Sequence, residues 1–178
     1  EDIEGGLDDI TEADSDIIYL AVAPDGTLFA SVYDADDDDY TIKRSTDQGY
    51  TWKNTKLKNE SEALVAIAVS SNYEDDETLY VVGEDATVWR LEDTGDANPK
   101  ELRSIPGASK GYAIAAMYDG DENFVAVGTE DDVFVIEDTY FADWVDQNLG
   151  TAAKAVAFAP DFEDSELIWV VTDEGELI

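Results

Sequence analysis

Short apolar clusters separated by acidic turns set the rhythm of this chain. Four segments are built from small and aliphatic residues: Ile18–Ala23, Leu64–Val69, Ala113–Met117 and Ala153–Ala159. Each is followed by an acidic turn and then by a second run rich in aromatic and β-branched residues, such as Leu79-Tyr80-Val81-Val82. The near-continuous apolar character of these first two runs predicts inner β-strands covered on both faces. A third run follows in each case, at Tyr40–Arg44, Thr87–Leu91 and Asp132–Ile136, with Glu176–Ile178 as the start of a fourth copy. These third runs alternate in polarity, as in Tyr40-Thr41-Ile42-Lys43, which predicts strands nearer solvent. No segment sustains a helical period, so the pattern reads as all-β.

The runs repeat. Tyr73–Val82 aligns without a gap on Phe162–Val171, 89 positions further on. That offset is two periods of about 44–45 residues, the spacing of propeller blades. Intermediate copies are Asp121–Gly128 and, earlier, Asp25–Ser31. The predicted fold is therefore a β-propeller of four-stranded antiparallel blades, with about three and a half blades present. The expected units are blades at 17–58, 63–104 and 111–149, a partial blade at 153–178, and an acidic N-terminal segment at 1–16. An open arc leaves blade faces and strand edges unpaired, so the expectation is a fragment of a larger propeller.

Between the third and fourth strands of the first blade lies Ser45-Thr46-Asp47-Gln48-Gly49-Tyr50-Thr51-Trp52. This segment resembles the Asp box, or bacterial neuraminidase repeat, with Ser45, Asp47, Gly49, Thr51 and Trp52 at the five patterned positions. Its physical logic is a self-contained hairpin. Asp47 accepts backbone N–H groups across the turn, Gly49 takes positive φ, and Trp52 returns as an apolar plug between sheets. Later copies decay: Asp93 and Asp138 keep the Asp47 register, Gly95 matches Gly49, Trp144 matches Trp52 with one extra residue, and Asn98-Pro99 stands where the second tryptophan belongs. The resemblance implies a sialidase-like or sortilin-like propeller whose Asp box is a folding element rather than a catalytic one.

Charge narrows the function. The 178 residues hold 44 Asp and Glu against 10 Lys and Arg, a net charge of −34. Nucleic-acid binding needs a basic footprint that this composition lacks, and an anionic membrane would repel it. No apolar run reaches the roughly 20 residues of a membrane span. With no cysteine and no histidine, disulfides, thiolate metal sites and the commonest general base are excluded. The hydrophobic share of 44% nevertheless supplies a core, so the acidity reads as adaptation to cation-rich surroundings or as a solvated surface.

Candidate chemistry is sparse. Sialidases resemble one another in placing three arginines on a substrate carboxylate; here Arg44 and Arg90 share one register of the repeat and could not converge at an axis with Arg103. A glycosidase needs only two carboxylates, which 44 acidic residues offer without specificity. Tyr80, Trp89 and Trp169 fall on expected core strands, which favours packing over sugar stacking. Asp34, Asp36, Asp37, Asp38 and Asp39 crowd one loop and are the candidate ligands for Ca²⁺. Asn59-Glu60-Ser61 is a glycosylation sequon in the first inter-blade link. The reading is a non-catalytic structural or interaction propeller of a secreted or cell-surface protein, such as a surface-layer subunit. Its expected partners are copies of itself, neighbouring surface proteins or glycans. The alternatives are a glycoside hydrolase with its catalytic residues elsewhere, and a protein-binding assembly or receptor scaffold.

Overall fold

A computed structural model describes residues 16–178; the acidic N-terminal segment therefore lies outside the described residues except for Asp16. Three four-stranded antiparallel sheets follow one another along the chain. The first contains β1 (Asp16–Val22), β2 (Leu28–Asp34), β3 (Asp39–Ser45) and β4 (Lys53–Asn59). The second contains β5 (Leu64–Val69), β6 (Leu79–Gly83), β7 (Val88–Leu91) and β8 (Lys100–Glu101). The third contains β9 (Gly111–Tyr118), β10 (Asn123–Thr129), β11 (Val133–Glu137) and β12 (Val145–Asp146). A fourth sheet pairs β13 (Ala153–Phe158) with β14 (Ile168–Thr172), and Leu177 bridges to Val171 at its far edge. Within each sheet the order is sequential, so every connection is a hairpin. This is the blade arrangement of a β-propeller.

The first strands pack side by side, β1 on β5, β5 on β9 and β9 on β13. Their alanines permit that convergence. Gly111, which opens β9, shows how close it becomes: an added Cβ would stand 2.6 Å from the Gly83 carbonyl oxygen and 2.6 Å from Val82 Cγ2. Only a residue without a side chain fits there.

Three apolar layers fill the spaces between successive sheets. Phe29 and Ile42 of the first sheet meet Leu79, Val81 and Leu91 of the second. Tyr80, Val82 and Val88 meet Val125, Phe134 and Ile136 of the third. Ala126 and Val135 then meet Ala153 and Val170 of the fourth. Fully burying one such side chain contributes about 1.5–3 kcal/mol, so these layers carry the stability of the arc.

Two features differ from the sequence expectation. The third strands are not nearer solvent: Thr41, Ile42, Lys43, Val133, Phe134 and Val135 are all buried. Their polarity is satisfied internally, since Thr41 Oγ1 donates to the Leu57 carbonyl at 3.0 Å and Lys43 stands 3.7 Å from Asp34. The fourth strands meet solvent instead. Two of the acidic turns are also single helical turns, α1 (Tyr73–Asp76) and α2 (Phe162–Ser165). Each ends in a left-handed glutamate, Glu77 or Glu166, whose N–H caps the turn. One turn is too short to leave a period in the sequence.

Candidate interaction surface

The Ser45–Trp52 loop closes on itself. Ser45 Oγ donates to Asp47 Oδ1 at 2.8 Å and accepts the Gly49 N–H at 2.9 Å. Asp47 in turn accepts the Thr51 N–H at 2.9 Å and the Thr51 hydroxyl at 2.6 Å. These donors, the Thr51 hydroxyl foremost, hold the Asp47 carboxyl below the usual range, down to about 2. Gly49 has φ of 89°, and Trp52 Nε1 donates to its carbonyl at 3.1 Å. The ring of Trp52 packs against Ala30 and Val32 of its own sheet and stays half-buried. Trp144, on the corresponding face of the third sheet, is covered by the second sheet and only 7% exposed; its Nε1 donates to the Arg103 carbonyl at 2.6 Å. Among the described residues, a preceding sheet covers Trp144 but not Trp52.

Arg44 and Arg90 lie at sheet junctions. Arg44 donates to the Thr94 carbonyl and to Asp96 Oδ2, both at 3.2 Å, on the loop of the second sheet. Arg90 pairs with Asp138 of the third sheet at 3.0 Å and with Glu92 of its own at 2.5 Å. The same Asp138 accepts the hydroxyl of buried Tyr80 at 2.5 Å. Arg103 pairs with Asp143 at 2.5 Å. Each arginine thus has its own acidic partner, and the three do not share one.

The acidic loop at 34–39 is the β2–β3 turn. Lys58 Nζ donates to Asp37 Oδ2 at 2.9 Å and to Asp39 Oδ2 at 2.8 Å, while Asp38 accepts the Tyr33 hydroxyl at 2.8 Å. Asp34 faces Lys43, and its Oδ1 accepts the Asp36 N–H at 3.3 Å. Among the described residues, no three acidic side chains stand grouped as ligands for a metal ion. Asn59 ends β4, half-buried, with its side-chain oxygen accepting the Ser61 N–H at 3.0 Å.

Sequence reasoning missed the aromatic surface. Tyr140 and Phe141, on the loop after β11, are 88% and 79% exposed and stack edge-to-face with centroids 4.7 Å apart. Nothing in their spacing distinguishes them from core aromatics. Trp169 also differs from expectation: it is 48% exposed, because no sheet covers that face of the fourth sheet among the described residues. By contrast, Tyr80 is fully buried and Trp89 half-buried, as strand positions between two sheets require.

Comparison with solved structures places this architecture among propellers. The chain is similar to Kuenenia stuttgartiensis hydrazine synthase, with TM-score 0.64 and 16% identity over 88% of this chain and 42% of that one. It is similar to a putative 6-phosphogluconolactonase from Bacteroides uniformis, with TM-score 0.60 and 16% identity over 97% and 56% of the two chains. The RRP9 WD40 repeats give TM-score 0.59 and 13% identity over 94% and 54%. The chain spans about half the length of these structures. No family model and no curated protein sequence matches it. At such identities the likeness defines the fold, a β-propeller, and stops there.

Proposed function

We propose that this chain is a non-catalytic propeller module of the Asp-box type, displayed on a cell surface or in an extracellular lattice, where it makes protein contacts. The observation that carries the reading is the allocation of charge. Its three arginines are spent on Asp96, Asp138 and Asp143 at sheet junctions and loops, leaving no converged cationic set for an anionic sugar. The remaining surface carries the bulk of a net −34, which cation-rich surroundings screen. The closed hydrogen-bonded loop at Ser45–Trp52 supports the Asp-box relationship, because each patterned residue has the bonding role that the motif needs. Exposed Tyr140 and Phe141 supply apolar contact area of the kind that protein interfaces use. In such an assembly Ca²⁺ relieves repulsion between neighbouring acidic subunits.

The test is light scattering and negative-stain microscopy of the purified chain with Ca²⁺ and with a chelator, beside an assay with fluorogenic glycosides. Calcium-dependent growth of ordered assemblies without glycoside cleavage supports the reading. A monodisperse particle under both conditions, or turnover of a glycoside, overturns it.

A further inference from the structure

Between the second and third sheets the structure holds an open cleft of about 540 Å³. Both sheets have all four of their strands, so the cleft belongs to a complete junction and not to an end of the arc. It opens beside β8 and the loop before β12, the two shortest strands of these sheets, each two residues long. Three cations line it, Arg90, Lys100 and Arg103, against two carboxylates, Glu101 and Asp138. In a chain of 44 acidic and 10 basic residues, a wall on which cations outnumber acids runs against the composition.

Two of these cations keep donors to spare. Lys100 donates to Glu92 at 3.1 Å and Arg103 donates through one nitrogen to Asp143 at 2.5 Å, with the two basic side chains 63% and 54% exposed. An ammonium offers three N–H donors and a guanidinium five, so each has room for a further carboxylate beside its present partner. Exposed pairs of this kind hold their partners loosely, at about 0–1 kcal/mol. Leu102, Ile136 and Ala142 add apolar lining, and the exposed ring of Tyr140 stands beside them. A ligand suited to such a wall carries several carboxylates with aliphatic side chains between them; a single anionic sugar or a simple anion has no use for the apolar part.

The chain itself carries that ligand. Residues 1–15, outside the described residues, include seven Asp or Glu and no Lys or Arg, with Ile3, Leu7 and Ile10 spaced among the acids. We propose that the cleft between the second and third sheets docks residues 1–15 of the same chain, their carboxylates meeting Lys100 and Arg103 and their aliphatic side chains covering Tyr140. The tether is long enough: fifteen extended residues reach about 50 Å, while a folded unit of this size measures about 40 Å across. Covalent connection at this range gives an effective concentration on the order of 1 mM, which favours the segment of the same chain over that of a second copy in dilute solution. The docking does not depend on lattice formation; where a lattice forms, the segment covers apolar area that a neighbour would use.

The chain has no cysteine, so a nitroxide label can be placed at one site of the full chain, on Gly6→Cys. In chelator, amide signals of Leu102, Thr139 and Ala142 are expected to lose intensity relative to the reduced label, and molar sodium chloride to restore them. The double substitution Lys100→Gln, Arg103→Gln changes two exposed side chains and also restores the signals, while the amide spectrum elsewhere reports that the fold is kept. Asp8→Asn with Asp9→Asn gives the same relief from the other side of the contact. Labelled chain mixed with unlabelled, isotopically enriched chain shows no loss, because the contact lies within one chain. Even loss over the whole surface, loss at the cleft that survives both double substitutions, or loss that appears only in the mixed sample, with a second copy as the occupant, overturns the proposal. Calcium-dependent assembly is read separately, so failure of the lattice reading leaves this result standing, and the reverse holds as well.

Discussion

The same substitution, Tyr to Phe, has opposite consequences at two buried positions. Tyr73 is 1% exposed, stacks edge-to-face on Phe29, and its hydroxyl finds no hydrogen-bond partner among the described residues. Tyr80 is 0% exposed, and its hydroxyl donates to the carboxylate of Asp138 at 2.5 Å. Leaving a buried hydroxyl unpaired costs about 1–3 kcal/mol, so removing it from Tyr73 recovers part of that at the price of a space one oxygen wide. Tyr73→Phe is therefore expected to stabilise by about 1 kcal/mol, near 2–4 °C in Tm for a chain of this size. The fold already contains the result, for Phe162 holds the corresponding place in α2 and packs on Phe124 and Phe158. Tyr80→Phe removes a bond to a charged acceptor and is expected to cost about 1.5–3 kcal/mol. Urea unfolding followed by far-ultraviolet circular dichroism reads both changes against the wild type. Stabilisation at both positions, or destabilisation of Tyr73→Phe by as much as Tyr80→Phe, would refute the assignment of partners.

Three further outcomes follow from the geometry. Gly111→Ala drives a Cβ against the Gly83 carbonyl and is expected to destabilise by about 2 kcal/mol or more, measured as a lowered urea midpoint. Asp47, whose carboxyl is depressed from 3.8 to about 2, contributes stability that is full above the unfolded value and lost as pH falls through the folded one. The stability gap between wild type and Asp47→Asn should therefore close between pH 4 and pH 2; a gap constant over that range counts against the loop geometry. With a net charge of −34, the melting temperature should also fall as sodium chloride is reduced from molar to millimolar, and a flat profile would show that self-repulsion is not felt by the fold.

The repeat was legible because strand chemistry imposes it: two covered faces demand continuous apolar runs, and the acidic turns between them break those runs at regular intervals. The bonding of Asp47 was legible for a similar reason, since its partners are local, Ser45 and Thr51. What the chain does not display is pairing at a distance. Asp37 and Asp39 read as bare negative charge until Lys58, beyond the following strand, is seen between them. The alternating polarity of the third strands suggests a place nearer solvent, yet polarity is not solvent contact: Thr41 and Lys43 spend theirs internally.

Because Arg44 reaches only the second sheet and Arg90 only the third, cohesion in this arc passes from neighbour to neighbour. Such contacts couple each sheet chiefly to the one beside it, so a local change is felt first at the junction that carries it. Amide exchange should accordingly be slow in β6 and β10, each of which lies between two apolar layers. Damage to Arg90 would loosen the junction of the second and third sheets and leave the Arg44 contact between the first and second standing.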